Sequence, residues 1–287
     1  MDMARRQGIE VSRRAARSGG FTLVEAVIVI VITGIVASMA ALFIRVPVQS
    51  NLATEARADL ADAADLALRR MSRELRLAAP RTVTILNGNL AIQFLLSKTG
   101  ARYVSVNDNP PATLLPLDFV GGSSSFDLIG APPAGRQAIV PGDYIVFGNL
   151  GFAPYDAYQF GKGAANISRV GAINGSRITL QTNYFSGAEP AGQMFQVVTG
   201  KVTFVCTPGA NGGGTLQRFF NAADLTPGMG ALGTGAVLTD KVAGCIFGNT
   251  LLPGANNGSL MTLVLSLQHA NGEGAQMVRQ TQLDNPT

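Results

Sequence analysis

Tryptophan is missing from this 287-residue chain, histidine occurs once and cysteine twice. Only 14% of residues are charged and 7% aromatic, against about a quarter charged in an ordinary globular domain. These scarcities remove whole classes of chemistry. The single histidine, His269, has no Ser or Cys motif around it that would complete a nucleophilic triad. The two cysteines show neither CxxC nor Cys/His spacing, so no zinc-type ligand set is present. Without an acid/base or metal constellation, the sequence argues against an enzyme and calls for no cofactor. What is plentiful is apolar residues (47%), glycine (34) and proline (14). That mixture suits a loop-rich β domain better than a helical bundle.

Charge is unevenly placed. The net charge is +4, but residues 1–20 alone hold five arginines against Asp2 and Glu10, a net of +3. The remaining 17 basic and 16 acidic residues leave +1. The body of the protein therefore lacks the clustered basic charge that nucleic-acid binding needs.

The N-terminal segment carries the strongest signal. Residues 26–44 are free of charge, and as a helix they span about 28 Å, close to the hydrocarbon thickness of a bilayer. The run is apolar all round, so it calls for lipid or for surrounding protein. Arginines precede it, which predicts that residues 1–20 stay in the cytoplasm and the rest crosses the membrane. A plain anchor or an ordinary secretory signal, with Ser38-Met39-Ala40 as cleavage site, accounts for length and flanks. Neither accounts for Glu25 inside the apolar run, which costs roughly 2–3 kcal/mol or more deep in lipid. Neither accounts for Gly19-Gly20 standing before the run instead of after it.

Arg17-Ser18-Gly19-Gly20-Phe21-Thr22-Leu23-Val24-Glu25 resembles the type III signal of type IV prepilins and pseudopilins. The resemblance implies cleavage between Gly20 and Phe21 by a membrane prepilin peptidase/methyltransferase, followed by N-methylation of Phe21. It also implies retention of the helix as a filament core. Glu25 then meets the new amine of a neighbouring subunit as an alignment key, since a charge pair in apolar surroundings penalises the wrong register. The alternative is a Glu25 that rests at the membrane interface with no role. Gly34 matches a glycine common in these helices. The proline often found about eight residues later is Leu42 here, with Pro47 beyond it.

After Pro47 the pattern turns amphipathic. Leu52, Ala56, Leu60, Ala64, Leu68, Met71, Leu75 and Ala78 recur at spacings of three and four, and Pro80 predicts the end of the helix. Four segments are expected: a leader at 1–20, an apolar helix at 21–44, its amphipathic continuation at 45–79, and a periplasmic β-rich domain at 80–287. Within the last, TVTIL-NGN-LAIQF reads as a hairpin around Asn87-Gly88. Strand patterns follow at RYVSV, DYIVFG, RITLQ, MFQVV, KVTFVC, TLQRFF, KVAGCIF, LMTLVLSLQ and QMVRQTQL, with loops at 107–116, 121–135 and 207–214. The implied fold is α+β and type IV pilin-like: a long N-terminal helix packed on a mainly antiparallel sheet. Outside the cytoplasm Cys206 and Cys245 read as one disulfide, worth roughly 3–5 kcal/mol for a loop of about 40 residues; two buried thiols are the alternative.

Several patterns imitate chemistry. Gly228-Met-Gly230-Ala-Leu-Gly233 spells G-x-G-x-x-G but lacks the strand before and helix after that a dinucleotide site requires, and reads as a loop. The sequons at Asn166, Asn174 and Asn257 are expected to carry no glycan behind a leader of bacterial type, and the Asn-Gly steps at 174 and 257 read as turns. Asp108, between Asn107 and Asn109, lacks a full Ca²⁺ loop and reads as a solvated turn.

The size of the β domain resembles the larger minor pilins and pseudopilins. LALRRMSRELRLAAP, FVC…GCIF and QTQLDNP are most similar to the O-type minor pilin of mannose-sensitive haemagglutinin (MSHA) pili. The J- and W-type minor subunits of type II secretion and type IV pili are near alternatives. The implied partners are the prepilin peptidase, other major and minor pilins and an inner-membrane assembly platform. The implied location is the bacterial inner membrane, then a pilus or pseudopilus. The implied role is priming or capping a filament; a tip domain that binds a surface, DNA or a secreted protein is the second reading. Glu55, Asp59, Asp62 and Asp65 precede Arg69, Arg70, Arg73 and Arg76 along the helix, which suits its dipole. If these sections meet between subunits, charge reversal at Arg69 and Arg73 lowers incorporation into filaments, measured by immunoblotting of sheared surface fractions. Normal incorporation sinks that idea.

Overall fold

The structure is a computed structural model that describes residues 20–120, 122–163, 165–185, 189–190, 192–251 and 258–283. It divides into a unit at Met1–Ala53 and a larger one at Thr54–Thr287. The leader at 1–19 lies outside the described residues.

One helix, α1 (Leu23–Leu75), contributes to both units. Its backbone is helical through Gly34 and Pro47. In the first unit every described side chain from Phe21 to Ala41 is exposed. In the second unit Leu60, Ala64, Ala67, Leu68, Met71 and Leu75 are buried, the i, i+3, i+4 face expected of a packed helix. Burial begins later than the sequence pattern suggests, for Leu52 is 61% exposed. The helix also ends earlier than residue 79. Leu77 O accepts from Ser97 N–H and Ala79 N–H donates to Leu95 O, so a strand captures the backbone before Pro80 can stop the helix.

Among the described residues eleven strands follow. β1 (Thr84–Leu86) and β2 (Ala91–Tyr103) form the hairpin expected at Asn87-Gly88. Asn87, Gly88 and Asn89 all take positive φ there, which Asn and Gly tolerate best. β3 (Ser125–Ile129), β4 (Tyr144–Val146), β5 (Ile167–Asn174) and β6 (Arg177–Leu180) come next. β7 (Met194–Thr207) fuses two of the expected strands into one. β8 (Gly214–Asn221), β9 (Thr234–Leu251), β10 (Ser259–Gln268) and β11 (Gly274–Leu283) complete the chain.

β2 and β7 are each long enough to serve two structures. Their ends toward Ala91 and Thr207 join β1, β8, β9, β10 and β11 in an antiparallel sheet. One face of it packs on α1 through Phe94, Val202, Phe204, Phe247, Met261, Leu263 and Leu265. Cys206 on β7 and Cys245 on β9 are joined by a disulfide in that same core. Their other ends join β3, β6, β5 and β4, and the pairings β2–β3–β6–β5–β4–β7–β2 close a ring of six antiparallel strands. Closure removes free edges. Aromatic rings fill the interior, where Phe147 lies 4.6 Å from Phe185 and 5.0 Å from Tyr103, both edge to face.

This barrel departs from the sequence reading. β3 lies inside the expected 121–135 loop, and β5 begins at Ile167, directly after Asn166 of the first sequon. Of RYVSV only Arg102 and Tyr103 remain in a strand. Ser105 and Asp108 form a capping box on a short 3-10 turn, which pulls the chain out of the sheet.

Both cores are close-packed, so truncation in either is costly. Met71→Ala lowers unfolding free energy by about 2–5 kcal/mol and Phe147→Ala by about 3–5 kcal/mol. Denaturant titration of the full chain in detergent measures both, and a loss under about 1 kcal/mol contradicts the packing.

Candidate processing and assembly site

Gly20 is exposed, and a Cβ placed on it meets nothing within 4 Å. Phe21 is 83% exposed. The peptide bond between them is therefore open to an enzyme. Thr22 caps α1: its Oγ1 accepts the Glu25 N–H at 3.2 Å, and its carbonyl accepts the Ala26 N–H. Glu25 thus occupies the third position of the first turn, where the positive end of the helix dipole favours a carboxylate. The T-x-x-E pattern at 22–25 signals this cap in the sequence, and the reading of Glu25 above overlooked it. Among the described residues Glu25 has no ion-pair partner.

Leu23–Ala41 forms a helix long and apolar enough to cross a membrane, with a mean hydropathy of 2.5. It contains Gly34, whose Cβ position is open. It also contains Ser38, which returns its hydroxyl to Ile35 O at 2.7 Å and so hides its polarity in the helix.

Farther along α1 the charges divide. Asp65 accepts from Arg279 on β11 at 2.9 Å and also from Arg69. Glu74 accepts from Arg218 on β8 at 2.7 Å and from Arg70 at 3.4 Å. Arg57 pairs with Glu273. These pairs tie the helix to the sheet within one chain. Arg73 and Arg76, together with Glu55, Asp59 and Asp62, are exposed and without an ion pair among the described residues. Arg73 is therefore a freer candidate than Arg69 for a contact with another subunit.

The patterns that imitate chemistry have structural uses. Gly228–Gly233 belongs to the β8–β9 connection, which crosses the sheet face opposite α1. Gln93 holds it, accepting from Gly228 N–H at 2.9 Å and donating to Gly228 O at 3.0 Å. Buried Lys201 donates to Thr226 O, and burial pushes its pKa down while Asp224 opposes that shift. Gly233 has φ +86°, and a Cβ there would meet Phe220 O at 2.1 Å, so glycine is needed for close approach. Both Asp108 carboxylate oxygens are engaged, by Ser105 N–H and by the Gln193 amide. Asn166 is buried and donates to Phe147 O at 2.7 Å. Asn174 stands at the β5–β6 turn, and Asn257 lies outside the described residues. His269 sits in the β10–β11 turn.

A family profile for the prokaryotic N-terminal methylation motif matches residues 15–41. No curated protein and no solved structure matches the chain. The motif supports the pilin and pseudopilin family and implies processing by a prepilin peptidase and assembly with other pilins. With one apolar N-terminal helix, it fits a single-pass membrane-anchored protein.

The helix–sheet ion pairs give a pH dependence. The Arg279 hydrogen bond, aided by Arg69, holds the Asp65 carboxyl below its ordinary range. A folded-state pKa below the unfolded one adds stability that is present above about pH 4 and lost as pH falls through the folded value. The pair is solvent-accessible, so the effect is modest and shrinks with salt. Asp65→Asn is expected to flatten the fall in denaturation midpoint between about pH 4 and pH 2. An unchanged acid limb contradicts the assignment.

Proposed function

We propose that this chain is a minor pilin, processed between Gly20 and Phe21 and assembled through α1 into a type IV pilus. The observation that carries the reading is the methylation motif over residues 15–41, which takes in both the Gly20–Phe21 step and the exposed apolar helix at Leu23–Ala41. An ordinary signal loses its apolar stretch on cleavage; here the cut at the leader keeps it. A membrane-length helix with exposed side chains then needs lipid before assembly and neighbouring helices afterwards.

The arginines of the leader favour a cytoplasmic N-terminus and a periplasmic β domain. Cleavage puts a cationic amine on Phe21, one residue before the cap. Glu25 offers a carboxylate to the amine of an adjacent subunit, and the cost of burying either charge alone makes the pair a register key. An inserted barrel, beyond what packing on α1 requires, favours a subunit present in few copies that primes or caps a filament. Among minor pilins the O-type subunit of MSHA pili is the preferred assignment, on the run at 66–80 and the strands around Cys206 and Cys245. A J- or W-like minor pseudopilin of type II secretion is the alternative. The barrel also favours a second role as a tip module that engages a ligand.

Mass spectrometry of the mature protein is expected to find N-methylated Phe21 as the first residue. A mature chain beginning at Ala41 overturns the reading in favour of ordinary secretion. Glu25→Ala is expected to leave cleavage intact and to lower filament incorporation about tenfold or more, given the cost of an unpaired buried charge. Wild-type incorporation of that variant removes Glu25 from the mechanism.

A further inference from the structure

β11 ends the sheet, and its hydrogen-bond phase follows from its turn. His269 N–H donates to Glu273 O at 2.8 Å, which makes 269 and 273 a hydrogen-bonded pair. In an antiparallel ladder such pairs recur at every second residue. The register runs from Gln268↔Gly274 to Ser259↔Leu283 without a shift. Met277, Arg279 and Thr281 therefore turn their backbone groups to β10. Gln276, Val278 and Gln280 turn theirs off the edge of the sheet. Among the described residues no backbone hydrogen bond reaches those three.

The same three residues expose their side chains on the face away from α1. Val278 is 60% exposed and lies beside Val264, which lies beside Ile246 at 59%. This row is an apolar path leading to the edge. Gln276 and Gln280 reach inward to Ser266 and Thr262 on β10, so neither side chain guards the edge.

Sheet edges are usually blunted by lysine, proline, a bulge or an inward-pointing charge. Gly274–Leu283 has none of the first three, and its one charged residue, Arg279, is held by Asp65 on the α1 side. The opposite edge, β1, is only three residues long.

We propose that the β11 edge is a docking site for an extended, uncharged segment of another polypeptide, which adds a strand alongside Gln276, Val278 and Gln280. Only an extended backbone offers donors and acceptors at the two-residue spacing of that edge. The neutral row of Gln, Val and Gln gives a charged side chain no counter-charge and favours an apolar residue opposite Val278. The β11 of a second copy fits less well, because it carries Arg279 and is not the uncharged segment that this row favours.

The test uses the full chain in detergent micelles and a capped ten-residue peptide that copies Gly274–Leu283 with Arg279→Thr. Residue-resolved hydrogen exchange is expected to slow about tenfold or more at Gln276, Val278 and Gln280, and to stay unchanged at Met277 and Arg279. The double substitution Gln276→Lys with Gln280→Lys abolishes the protection, as does Val278→Pro, which removes an edge donor. Ile246→Lys, two strands in from the edge, retains it. Slow exchange of β10 amides verifies that each variant is folded. Protection without the odd–even pattern, or protection that survives the lysine pair, overturns the proposal. Self-association of the free chain that the lysine pair abolishes assigns the edge to a second copy and likewise overturns it.

Discussion

The docking of α1 onto one sheet face, from Leu60 to Leu75, is the contact on which the larger unit depends. The sheet buries Phe94, Phe204, Phe247, Met261 and Leu265 on that side, and without the helix this apolar face would stand in water. At roughly 25 cal/mol per Å² the burial outweighs any exposed ion pair. The ion pairs from Asp65, Glu74 and Arg57 to the sheet then fix which way the helix is turned, since an apolar stripe alone tolerates small rotations. The disulfide between Cys206 and Cys245 ties two strands within the same layer. Helix, sheet and crosslink thus share one core.

A second core grows out of the first without a linker. β2 and β7 pair along most of their length, and each changes its outer neighbour midway. That exchange lets a closed six-stranded ring share two strands with an open sheet. The ring shelters a cluster of rings around Phe147, while Tyr144 and Val146 on alternate positions of β4 face outward into a further apolar layer with Leu225 and Tyr158. Alternation along one short strand thereby serves two environments.

Some of this was legible in the sequence and some was not, for physical reasons. The apolar run, the Gly19-Gly20 step and Glu25 are local and contiguous, so the N-terminal segment could be read directly. The hairpin at Asn87-Gly88 and the alternation of LMTLVLSLQ are local too. The barrel was hidden because its strands carry polar residues satisfied from far away. Asp127 in β3 is buried against Arg177, fifty positions on, and Arg169 in β5 donates to Gly142 O. A window of ten residues sees only a charge in a glycine-rich stretch. The same holds for the pair Asp65–Arg279, separated by 214 positions. The glycine motif at 228–233 is a loop in sequence pattern and in structure alike, but its anchors, Gln93 and Lys201, lie more than a hundred and about thirty positions away and only the fold brings them to it.

The two ends of α1 treat carboxylates in opposite ways. Asp65 and Glu74 are engaged by arginines of the same chain, so their charge is spent on holding helix to sheet. Glu25 has only its backbone N–H committed, to Thr22, and its carboxylate has no arginine within reach among the described residues. A capped first turn costs the side chain nothing, because the cap uses the amide and leaves both oxygens available. The local rule that places an acid near a helix start therefore does not compete with an intermolecular role. Under the proposed function, one residue stabilises the first turn before assembly and meets a neighbour's amine afterwards.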